Sequence, residues 1–175
     1  MEPGETFIAA LVEDENGFRR VDVSEEAWAA DQRPDNMLAF WQTTVPQPNE
    51  KKKVFVDDEV LMNLLRRLED AEQPQRIAFR FVLMLILMRK KLLRYDKTEH
   101  RLIEGDGDGT GGEQDWWLLT PKLDLTKGPL GKWKDDETIA VLDPHLDDEQ
   151  MRQVSEQIGE ILNAELWCFR RSMSL

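Results

Sequence analysis

The chain has 175 residues, a formal net charge of −12, 41% hydrophobic and 33% charged side chains. That length fits one compact domain, or one domain with a small appendage, and the apolar share is enough for a real core. The acidic balance argues against nucleic-acid binding, which rests on Lys and Arg neutralising phosphates, and against an anionic membrane surface. The one cysteine, Cys168, leaves no intramolecular disulfide and gives no reason to invoke an oxidising compartment. Glu2 and Glu5 interrupt any leader-like run, and the longest apolar run, Phe81 to Met88, is far short of the about 20 residues of a spanning helix. The cytoplasm is therefore the expected location.

The first segment reads as a β-hairpin. Thr6 to Val12 is apolar, Asn16-Gly17 is a turn signal, and Phe18 to Val23 alternates. The facing of the second strand stays open, because Arg19, Val21 and Val23 are mostly apolar and Phe18, Arg20 and Asp22 are not. Ser24 is suited to cap a short helix over Glu25 to Ala30. Leu38 to Val45 reads as a third strand, ended by Pro46 and Pro48. The polar, proline-bearing stretch 46–53 reads as a linker. It divides a β-rich subdomain, 1–45, from an α+β core domain, 54–175.

Beyond it the period changes from 2 to 3.6. Asp57 to Asp70 is an amphipathic helix with Val60, Leu61, Leu64, Leu65 and Leu68 on one face. Pro74 suits the first position of a second helix, Pro74 to Lys91. This helix is apolar all round from Ile77 to Met88, so protein should surround it. Arg76 and Arg80 share a face and suit pairing with Glu69 or Glu72. Lys51-Lys52-Lys53 reads as a charged loop. Arg89-Lys90-Lys91 reads as a helix C-terminus, where cations complement the macrodipole.

Leu92 to Tyr95 reads as a strand, Asp96 to Asp115 as a long polar loop, and Trp116 to Thr120 as a strand. Pro121 to Asp136 reads as a second loop and Thr138 to Leu142 as the last strand of an antiparallel three-stranded meander. Asp147 and Gln150 form a capping box at the head of a C-terminal amphipathic helix, Asp147 to Leu166. The fold class is α+β: an N-terminal β-hairpin plus third strand, a helical hairpin with a buried central helix, the meander, and the C-terminal helix.

Chemistry is sparse. Glu104, Asp106, Asp108, Gly109 and Asp115 approximate a calcium-loop spacing, although the end ligands are exchanged in type and strands flank the segment. Calcium or another divalent cation is the cofactor this loop would take; a solvated hairpin loop explains it as well. His100, His145 and Cys168 are scattered, without the close pairs of a zinc site. No nucleophile elbow or phosphate-binding glycine loop is present. Trp116 and Trp117, adjacent on a strand, must point to opposite faces, and Trp133 lies in a glycine-rich loop. These three are the candidate interaction residues, with burial by folded-back loops as the alternative.

The segments Phe79-Arg80-Phe81-Val82 to Leu87-Met88-Arg89-Lys90-Lys91-Leu92-Leu93, Val56 to Leu61, Asp143-Pro144-His145-Leu146 and Gln157 to Leu166 carry a resemblance. The chain resembles a family of uncharacterised small acidic bacterial proteins. Longer members of that family carry a cysteine-bearing segment before the stretch equivalent to Glu2-Pro3-Gly4-Glu5. The resemblance implies no activity or site residue, but it makes the N-terminal hairpin a candidate degenerate zinc-ribbon-like element. The expected function is a non-enzymatic protein-interaction or regulatory module with a protein partner or a second copy of itself. The alternatives are an enzyme whose site is invisible in sequence, or a cation-binding module.

Overall fold

The computed structural model describes residues 3–45, 56–103 and 111–162. It is an α+β protein with two antiparallel three-stranded sheets. Its compact units are Met1–Arg67 with Arg152–Leu175, and Leu68–Met151. This division differs from a break at 46–53, a stretch that lies outside the described residues. The first long helix goes with the N-terminal sheet, where Arg67 hydrogen-bonds the Leu38 carbonyl at 2.5 Å.

In the first unit β1 (Thr6–Asp14) and β2 (Gly17–Ser24) form the hairpin, and β3 (Met37–Thr44) adds to the other side of β1, giving the order β2-β1-β3. As the central strand, β1 is buried from Phe7 to Val12, which is why it reads as a continuous apolar run rather than an alternation. At the hairpin tip Glu15 and Asn16 make the turn, and Gly17 takes φ 114°, where a Cβ would be strained. The facing of β2 is settled by Phe18, which is buried, and by Arg20, whose guanidinium lies 5.7 Å from both the Phe7 and Trp41 rings. A cation over aromatic faces substitutes there for an aliphatic side chain. Helix α1 (Glu25–Ala29) starts as expected, with the Ser24 hydroxyl accepting from the Ala27 N–H. Its Trp28 packs on Phe40 at 5.0 Å. Helix α2 (Asp58–Arg67) buries Leu61, Met62, Leu64 and Leu65, and the Asp57 carboxylate accepts from the Glu59 N–H at its start.

In the second unit α3 (Pro74–Arg89) lies against a sheet of order β4-β5-β6. Every residue from Ala78 to Met84 is buried, as an all-round apolar helix requires. The exception in type is Arg80, which donates to the Ala140 carbonyl at 3.0 Å. Burial pushes its pKa down against the opposing fields of Glu69 and Asp70. Strand β4 spans Leu93–Ile103 and β5 spans Gly112–Pro121, so most of the polar excursion expected over Asp96 to Asp115 is a long hairpin. Cross-strand pairing of polar residues on open faces builds it, with no apolar alternation to announce it. A bulge at Asp96 interrupts the edge strand β4, a device that discourages further strand addition. Strand β6 (Ile139–Leu142) closes the meander; α4 (Asp148–Leu162) follows in the chain and from Arg152 on belongs to the first unit. Asp147 and Gln150 exchange the two capping-box hydrogen bonds, at 2.8 and 3.0 Å.

Candidate functional site: a lysine-braced loop

The segment between β5 and β6 is expected to be a loop and is one, but a highly ordered one. Lys122 and Trp133 face each other in an antiparallel bridge. Around it Leu123 N–H donates to the Lys132 carbonyl and Lys134 N–H to the Pro121 carbonyl. Between these ends the chain makes a 3-10 turn, Leu125–Leu130, capped by the Asp124 carboxylate. That carboxylate accepts from the Thr126 hydroxyl and N–H, which together with Lys127 hold its pKa below the usual range. Gly128 sits at φ 50°, ψ −134°, a conformation for which glycine is needed. A Cβ on Gly131 would lie 3.0 Å from the Asp124 carbonyl oxygen, so the loop closes on itself at that point.

Lys122 is the centre of this arrangement. It is 5% exposed. Its Nζ donates to the Pro129 carbonyl at 3.2 Å and to the Gly131 carbonyl, and it stands 3.7 Å from the centre of the Trp133 ring. A buried ammonium needs such partners. The Arg94 guanidinium also lies over the Trp133 ring, 5.3 Å from its centre. Arg94 is in turn held by Asp96 and Asp135, both at 3.0 Å. Those hydrogen bonds raise the Arg94 pKa, and the Thr120 hydroxyl is the first cause of a lowered pKa at Asp96. The two carbonyls that Lys122 grips flank Leu130 in the chain. Leu130 itself is 95% exposed, and Leu123 at the loop's base is 61% exposed.

The tryptophans read as interaction candidates have internal roles here. Trp133 is the platform for Lys122 and Arg94. Trp117 packs edge-on against Phe81 of α3 at 5.4 Å and against Tyr95 at 5.2 Å. Trp116 carries the Arg101 guanidinium 4.7 Å from its ring and donates to Gln114. All three are half-buried. Leu123 and Leu130, the exposed apolar side chains of the Trp133 loop, are ones that sequence reasoning passed over. The only local signal was the Gly128-Pro129-Leu130-Gly131 turn.

Of the acidic loop, Glu104, Asp106 and Asp108 lie outside the described residues. Asp115 belongs to β5. Its two oxygens are engaged separately by His100 Nδ1 at 2.5 Å and His145 Nε2 at 3.3 Å. Glu113 lies 3.8 Å from the same His100 Nδ1, and Asp143 lies 3.8 Å from His145 Nδ1. The fold thus unites two histidines far apart in sequence, while Cys168 lies outside the described residues. The strand register His100↔Asp115 brings the first of them in. His145 follows from an Asx turn, in which Asp143 accepts from the His145 N–H with His145 at φ 50°. These contacts join β4, β5 and the segment after β6. Among the described residues no group of three or more His, Cys, Asp or Glu is placed to hold a metal ion.

The remaining features of this unit are a small cavity and a set of carboxylates held in their charged form. Leu68, Ile77, Arg80, Trp116 and Leu142 line a cavity of about 20 Å³, room for a water and far below the about 300 Å³ at which ligand pockets begin. Asp96, Glu99 and Asp124 all have lowered pKa values, caused first by Thr120, Lys97 and Thr126 respectively. No helix among the described residues is long and apolar enough to cross a membrane. In comparisons with known proteins, no family model, curated protein or solved structure matches the chain.

Proposed function

We propose that the protein is a non-enzymatic protein-interaction or regulatory module that docks through the 123–131 loop, with Leu130 as its anchor. The observation that carries this reading is the bracing of an outward leucine. Lys122 ties the carbonyls on both sides of Leu130, yet the side chain is 95% exposed. Interfaces depend on a few apolar anchors, and an anchor fixed before the encounter loses less conformational freedom on binding. The interaction surface shifts accordingly from Trp116, Trp117 and Trp133 to the loop that Trp133 supports. A single cysteine in 175 residues favours the cytoplasm as its place of action.

The test is in-cell photocrosslinking in the native host. A benzoylphenylalanine at position 130 is expected to give one discrete adduct. The same residue at position 40, where Phe40 is 50% exposed on the N-terminal sheet, is the control and gives none. Equal or absent labelling at the two positions removes the reading.

A further inference from the structure

We infer that Asn16, at the tip of the β1–β2 hairpin, is a deamidation site that the Asp14 carboxylate holds in check. Asn16 is exposed and Gly17 follows it. Glycine has no Cβ to hinder its own amide nitrogen from reaching the preceding side chain. In the reaction the Gly17 nitrogen loses its proton and attacks Asn16 Cγ. A C–N bond forms, and the side-chain nitrogen takes up a proton and leaves as ammonia. Water then opens the cyclic imide at either carbonyl, to aspartate or to isoaspartate. Water is consumed and ammonia released, with no change of oxidation state. The folded tip opposes the first step. The Asp14 carboxylate accepts from the Asn16 N–H at 2.8 Å and from Arg19 Nε at 2.8 Å. These contacts, the Asn16 N–H foremost, hold its pKa below the ordinary value, so it is charged wherever an amide can lose a proton. The Gly17 N–H also interacts with this carboxylate. An amide anion there would form beside that charge, with Glu13 and Glu15 close in the chain, and like charges disfavour ionisation. Gly17 is itself buried and is paired with Asp14 in the strand register, which keeps its nitrogen from base in solution. Isoaspartate would add a methylene to the backbone of a tight hairpin turn and so disturb that register.

The experiment follows conversion at Asn16 in the full chain by peptide mapping with tandem mass spectrometry, during incubation in mildly alkaline buffer. Parent and Asp14→Ser are each compared native and unfolded in urea. Serine keeps an oxygen acceptor suited to a turn and removes the charge. Hydrogen exchange at the hairpin amides reports whether the tip stays closed. The parent is expected to convert about tenfold more slowly native than unfolded, a factor within reach of a hydrogen bond to a charged group. Asp14→Ser is expected to recover most of that factor in the native chain, with the hairpin amides still protected and the unfolded rate nearly unchanged. Equal native and unfolded rates in the parent overturn the inference, as does an unfolded chain that does not convert at Asn16. A native Asp14→Ser chain that stays as slow as the parent also overturns it. Acceleration accompanied by lost protection of the hairpin amides assigns the check to the closed turn instead of the carboxylate, and overturns it likewise.

Discussion

Replacing Lys122 with methionine tests the brace directly. Methionine keeps an unbranched, largely apolar stem, one atom shorter, and removes the ammonium. Two carbonyl acceptors and one aromatic face then lose their cation. A hydrogen bond from a charged donor contributes about 1.5–3 kcal/mol, and a buried cation–π contact about 1–2 kcal/mol. The Gly131 side of the loop is buried, so its carbonyl loses its partner without access to water. Pro129 is exposed and its carbonyl can be rehydrated. Counting one hydrogen bond in full, a fraction of the other and the ring contact gives a loss of about 2–4 kcal/mol. Relief of the ammonium's own desolvation opposes this and sets the expectation at the lower end. Urea denaturation at pH 7 should show a lower midpoint with an unchanged slope. Hydrogen exchange should show faster exchange at the amides of Leu123, Gly131 and Lys134, which close the loop. A methionine variant within about 0.5 kcal/mol of the parent, with those amides equally protected, refutes the brace and with it the preorganised anchor.

Thr120→Val removes the largest cause of the lowered Asp96 pKa and should move it up toward 3.8. A depressed folded-state pKa contributes stability above the unfolded value that is lost as pH falls through the folded value. The variant's acid-unfolding limb should therefore start at higher pH, with carboxyl NMR titration of Asp96 as the direct check. Leu83→Ala, at a fully buried position of α3, should cost about 2–5 kcal/mol in urea denaturation; a loss under 1 kcal/mol contradicts a tightly enclosed helix. Asp147→Ala removes the cap of α4 and should cost about 1 kcal/mol, with Asp147→Asn retaining most of the stability; equal effects of the two point away from capping.

How much was legible depended on whether the information was local. Helix α3 announces itself because twelve consecutive residues from Ile77 are almost all apolar, and Pro74 marks its start. Ser24 and the Asp147–Gln150 pair act within three residues of themselves, so their hydrogen bonds follow from spacing. The β4–β5 hairpin was half missed for the converse reason. Lys97, Glu99 and Arg101 neutralise one another along one face of β4, and such a ladder looks like loop composition until the partner strand is in place. The limits of α2 were over-extended at the C-terminal end, because Leu68 continues the apolar stripe beyond the last helical turn.

Composition, periodicity and short spacings were enough to determine the fold class, the buried helix, the meander order and the Ser24 and Asp147 caps, since each depends on residues close together in the chain. Tertiary structure alone decided that Lys122 is an interior residue holding Leu130 outward, and that His100 and His145 share Asp115. A lysine in sequence carries no sign of which carbonyls will surround it. Those partners are set by where the chain returns after a turn, and hydrogen bonds of that kind depend on distance in space rather than along the chain.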